Sequence, residues 1–121
     1  MQYLHLLRPT SNWTSVCTRD LAIIWNEIYS YYQTGTLTAK TMFNYFLNAQ
    51  YNYLKVLLPG YQIAHKSGWT QTTFNDAGIV LEHSEGPYLI AILTSDREGN
   101  ILCPLAKYLD EIMVDYFNWL D

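Results

Sequence analysis

One stretch sets the fold: Ile63-Ala64-His65-Lys66-Ser67-Gly68-Trp69-Thr70, then Asn75-Asp76-Ala77-Gly78-Ile79-Val80, then Pro87-Tyr88-Leu89-Ile90-Ala91-Ile92-Leu93-Thr94. It reads as three strands. Tyr61 to Ser67 alternates roughly between apolar and polar residues. Ala77 to Glu82 contains the β-branched pair Ile79-Val80. Tyr88 to Thr94 is a nearly continuous apolar run, the pattern of a strand covered on both faces. His83-Ser84-Glu85-Gly86-Pro87 and Asp96 to Asn100 are polar turn clusters. Turns this short connect antiparallel neighbours.

Helical spacing flanks the strands on both sides. From about Val16 to Tyr32, the residues Leu21, Ile24, Trp25, Ile28 and Tyr32 fall on one helix face. Thr14 or Ser15 is the expected cap, and Gly35 follows the end, where a left-handed residue is cheap. A second helix is expected from about Ala39 to Gln50, capped by Thr38, with Met42, Phe43, Phe46 and Leu47 as its stripe. The reading of Tyr51 to Leu58 stays open, and Pro59-Gly60 breaks the chain. A last helix begins near Pro104, with Leu105, Leu109, Ile112, Met113, Tyr116, Phe117 and Leu120 on one broad face. The expectation is a single α+β domain over residues 1–121, a three-stranded antiparallel sheet packed with about three helices. Within it, 1–12 is an extension, 16–58 helical, 61–95 the strands and 104–120 the last helix.

Composition narrows the function classes. Half of the 121 residues are hydrophobic and 16% are aromatic, enough for a real core. The net charge is −4, and the seven Lys and Arg are scattered. No basic stripe is present for nucleic acid or anionic lipid. No run approaches the roughly 18 apolar residues of a membrane span. Met1 to Leu7 is too short and uncharged to read as a signal peptide. Cys17 and Cys103 form no CxxC, so a metal cluster is not expected, and a disulfide between them is neither implied nor excluded. His65, Asp76 and His83 show no recognisable ligand spacing, and Asp76 reads as a cap at a strand entry. Eleven tyrosines, several between Tyr29 and Tyr61, suit packing at helix ends. Trp13, Trp25 and Trp119 are expected in core or interface.

The quoted strands resemble serine β-lactamases of the penicillin-recognising superfamily, closest to class A. Lys66-Ser67-Gly68 lies on a strand, a second strand opens with Asp76-Ala77-Gly78, and a third ends in Leu93-Thr94. Upstream, Thr14-Ser15-Val16-Cys17-Thr18-Arg19-Asp20-Leu21-Ala22 looks like the helix after the Ω-loop in that class. The likeness runs from Trp13 to Leu120. It implies a substrate-binding role for Lys66, Ser67, Gly68 and Thr70. Lys66 supplies positive charge to a β-lactam or peptidoglycan-like carboxylate, Ser67 offers a hydroxyl, and Gly68 permits close approach. The backbone N–H of Trp69 becomes an oxyanion-hole donor. The resemblance implies no cofactor and no metal, and its full-length members are extracytoplasmic.

The chain also departs from that pattern. Class A enzymes commonly hold the carboxylate with an arginine on the next strand, and none stands between Gly68 and Gly78. The serines at 11, 15, 30, 67, 84 and 95 have no lysine three residues on, so the Ser-x-x-Lys nucleophile pair is absent. Ser-Asp-Asn is absent too. These parts precede the matched region in the family, so the expectation is a C-terminal portion that begins near the Ω-loop. Such a chain is inactive alone and competent only with an N-terminal half, or it is a non-catalytic remnant serving as an interaction module or nothing. In the family, the strand matching Tyr88–Thr94 lies mid-sheet against an N-terminal strand. Left bare, it is an edge for self-association, for a complementary piece, or for Tyr3-Leu4-His5-Leu6-Leu7.

Overall fold

A computed structural model describes residues 16–49, 60–95 and 102–120. Helix α1 spans Thr18–Tyr32 and α2 spans Leu37–Leu47. Strands β1 (Ile63–Trp69), β2 (Phe74–Val80) and β3 (Tyr88–Thr94) follow, and α3 runs Leu102–Leu120. The architecture is α+β, with one antiparallel sheet in the order β1-β2-β3. Among the described residues no helix is long and apolar enough to cross a membrane.

Helix boundaries differ from the sequence expectation for local reasons. Helix α1 begins at Thr18, with Cys17 at the cap rather than Thr14 or Ser15. The Asp20 carboxylate reaches back to accept from the Cys17 backbone N–H at 3.1 Å, so the acidic residue supplies the capping bond. Helix α2 starts two residues earlier than expected, because Thr36 and not Thr38 accepts from Ala39 N–H at 3.2 Å. Gly35, between them, takes φ 74°, the left-handed conformation anticipated for it.

The strands are shifted as well. β1 ends at Trp69, two residues past Ser67, and β2 begins at Phe74 rather than Ala77. The sheet register sets both limits: Trp69 opposes Phe74 and Ile63 opposes Val80. The four residues between the strands form a tight turn, closed by Thr70 N–H to Thr73 C=O at 3.0 Å.

Helices cover both faces of the sheet. On one face Ile63, Val80, Tyr88, Ile90 and Ile92 pack against Ala106 and Phe117 of α3. On the other, Ala64, Ala77 and Ile79 pack against Trp25 of α1 and Phe43 of α2. The Tyr32 and Phe43 rings stack there at 4.0 Å, tying the end of α1 to α2. Coverage is unequal along β3. Tyr88, Ile90 and Ile92 are buried toward α3, whereas Leu89 and Leu93 on the other face stay 37% and 36% exposed. The apolar run is therefore not a strand sealed on both sides. Helix α3 likewise buries a narrower stripe than its composition suggested. Ala106 and Phe117 are buried, whereas Ile112, Tyr116 and Leu120 are exposed. Trp25 belongs to the core, but Trp119 is 79% exposed. Trp13, Tyr51 to Leu58, Asp96 to Asn100 and the segment Tyr3 to Leu7 lie outside the described residues.

Candidate functional site

Ladder alternation decides what β1 offers. Leu81 N–H donates to Gln62 C=O, and Thr70 N–H donates to Thr73 C=O, so pairs 62/81 and 70/73 are hydrogen-bonded pairs of the β1–β2 ladder. By alternation, the backbone groups of Ala64, Lys66 and Gly68 also turn toward β2. Those of His65, Ser67 and Trp69 turn to the outer edge of β1. The Lys66 ammonium folds over this edge and donates to the Ser67 carbonyl.

Side chains alternate between the faces. Lys66 opposes Ala77, and Gly68 opposes Asn75, both on the α1 side. Ser67 opposes Asp76 on the α3 side and is nearly buried. The ammonium of Lys66 and the hydroxyl of Ser67 therefore leave β1 on opposite faces and share only its outer edge.

A cleft of about 390 Å³ opens on the α1 side. Helix α1 lines it with Leu21, Ile24, Trp25 and Ile28, a run of helical spacing, and α2 adds Phe46. The sheet lines it with Lys66, Ser67, Gly68 and Asn75. Of the four residues expected to bind substrate, Lys66 and Gly68 face this cleft; Ser67 also lines it, although its hydroxyl leaves β1 on the opposite face. Thr70 is not among its lining residues. Its hydroxyl accepts from Thr73 N–H at 3.1 Å and bonds the Thr73 hydroxyl at 2.8 Å, which holds the turn. Trp69 is 48% exposed, and its ring stacks on Phe74.

Beneath this wall lies a pair whose arrangement is not apparent from sequence spacing. Asp76 is not a cap at a strand entry. It sits inside β2, 1% exposed, and accepts from His65 Nδ1 at 2.9 and 3.1 Å. His65 is fully buried. Gly78 faces His65 across the ladder, and a Cβ there would stand 2.7 Å from the His65 Cα and collide with the Ala64 carbonyl. His83 is part of a different group. It shares Asp110 with Tyr61 and Tyr88: the carboxylate accepts from Tyr88 Oη at 2.6 Å, Tyr61 Oη at 2.9 Å and His83 Nε2 at 2.9 Å. Burial alone would raise the Asp110 pKa, but the three hydrogen bonds outweigh it and hold the carboxyl below its ordinary range. Burial, reinforced by the bond to Asp110, pushes both tyrosine hydroxyls up. The sequence analysis did not single out Asp110, which stands at helical spacing from Ala106, Met113 and Phe117. Cys17 is exposed and unbridged, and the side chain of Cys103 lies outside the described set.

Over residues 4–109 the sequence matches the family model described as the beta-lactamase enzyme family. No curated protein and no solved structure matches the chain.

Proposed function

From the chain's membership of the beta-lactamase enzyme family, we propose that β1 is the substrate-binding wall of a class A-like serine β-lactamase site. Lys66 attracts the substrate carboxylate, Ser67 adds hydrogen bonding at the strand edge, and Gly68 lets substrate lie against the backbone. The N–H of Trp69 donates to the developing oxyanion. One observation carries the reading: Lys66 reaches over the same outer edge of β1 to which the Trp69 N–H turns, beside an open cleft. The wall binds but does not acylate, because no serine in these 121 residues has a lysine three positions on. A nucleophile must come from a separate segment carrying Ser-x-x-Lys.

Two measurements test this. Isothermal titration of the chain with benzylpenicillin should show saturable binding that is lost in Lys66→Gln, and nitrocefin should not turn over. Supplying a polypeptide with the Ser-x-x-Lys should restore turnover. Absence of any benzylpenicillin binding would leave the second reading, a non-catalytic interaction module, which the missing nucleophile favours. Nitrocefin hydrolysis by the chain alone would overturn the inactive-alone reading.

A further inference from the structure

The buried His65–Asp76 pair lies directly under the proposed substrate wall. His65 opposes Gly78 and Asp76 opposes Ser67, so the bond between them runs diagonally across the β1–β2 ladder. The register position that this diagonal spans is Lys66 with Ala77. The tie therefore passes beneath Lys66, on the opposite face of the sheet. Both Asp76 oxygens accept from His65 Nδ1, at 2.9 and 3.1 Å, and neither residue is more than 1% exposed. At that burial, no solvent replaces the bond when one partner is removed. Gly78 makes the close seat possible, because a Cβ there would stand 2.7 Å from the His65 Cα and Cβ.

The position of β1 gives such a tie a use. Among the described residues, β2 is its one strand neighbour. The backbone groups of His65, Ser67 and Trp69 turn to the other side, where the proposed oxyanion donor stands. The twist between neighbouring strands ranges from about 10° to 35°. One ladder thus leaves open where those edge groups point, and a misplacement of about 1 Å at a reacting geometry costs on the order of 100-fold. We propose that Asp76 and His65 are positioning residues: their bond fixes β1 on β2 and so sets the place of the Trp69 N–H and of Lys66. This rests on the reading of β1 as a substrate-binding wall and deepens it, because it names what holds the wall in shape.

The test pairs ligand-free amide NMR with titration of benzylpenicillin. Asp76→Ala should move the Lys66, Ser67 and Trp69 amide signals and weaken benzylpenicillin by at least about tenfold. Asp76→Asn keeps an oxygen for the His65 N–H, so its signals and its affinity should stay close to wild type, the latter within about twofold. His65→Phe keeps a ring and removes the donor; it should repeat the Asp76→Ala result, and it serves if that variant does not fold. Phe117→Ala, which opens a cavity on α3 against His83, should lower the melting temperature while the Trp69 amide and the affinity hold. A pair that serves stability alone would lower the melting temperature of Asp76→Ala with no change at Trp69 in the folded chain, and that result would sink the proposal. Displacement of the Trp69 amide by Phe117→Ala as large as that by Asp76→Ala overturns it as well. If Asp76→Ala moves the Trp69 amide but wild type binds no benzylpenicillin, the positioning role stands and the β-lactam reading falls.

Discussion

His65 and Asp76 hydrogen-bond with almost no exposure to solvent, and removing either takes a short buried bond from the other. Asp76→Ala should therefore destabilise the chain by about 1–3 kcal/mol, read as a lower urea midpoint. At Gly78 the constraint is steric. A methyl group would press on the His65 Cα and the Ala64 carbonyl, and backbone cannot yield as a side chain tip can. Gly78→Ala should lower stability by about 1–3 kcal/mol in the same assay. Alternation from Tyr61 to Ser67 made His65 readable as a strand residue, whereas Asp76 read as a cap before the second strand, and spacing carries no register. Only the pairing of Ser67 with Asp76 and of His65 with Gly78 reveals which side chains touch.

At the scale of elements, the Asp110 cluster joins the entry to β1, the turn before β3, and β3 itself to α3. Its pH behaviour follows from the direction of the shifts. Asp110 titrates lower folded than unfolded, so its contribution is present above its ordinary value of 3.8 and is lost as pH falls through the folded value. Tyr61 and Tyr88 titrate higher folded than unfolded, so theirs is complete below 10.0 and declines as pH rises beyond it. Stability measured against pH should fall at both ends. Asp110→Asn should flatten the acid limb, and Tyr88→Phe should flatten the alkaline one. Phe43, fully buried between Tyr32 and Tyr29, anchors α2. Phe43→Ala should cost about 3–5 kcal/mol by thermal melting. Helix periodicity identified Phe43 correctly, because a stripe at i, i+3, i+4 must face something. It overstated α3, whose Ile112, Tyr116 and Leu120 lie off the contact line. A helix against a three-stranded sheet buries a narrow stripe, and composition cannot say how wide the facing surface is.

For the whole molecule, β3 ends the sheet on its outer side among the described residues. The run Leu89 to Leu93 carries no charge, proline or glycine, so it has none of the sequence features that blunt an edge. Self-association through this edge is the expected outcome. Sedimentation velocity should show a concentration-dependent dimer, and Leu89→Lys, at a half-exposed position of β3, should keep the protein monomeric. A wild-type chain that remains monomeric at high concentration overturns this.

By itself, the sequence determined the α+β class, the order of its elements and the family. All three are written in periodicity and in local motifs, which need no knowledge of what lies across a strand. Tertiary structure decided how the Lys66-Ser67-Gly68 strand is used. Pairing with β2 turned Ser67 and Trp69 to the outer edge and set Lys66 and Asn75 on the face that α1 covers with its apolar stripe. Register and helix packing are contacts between residues far apart in the chain, and local spacing cannot specify them.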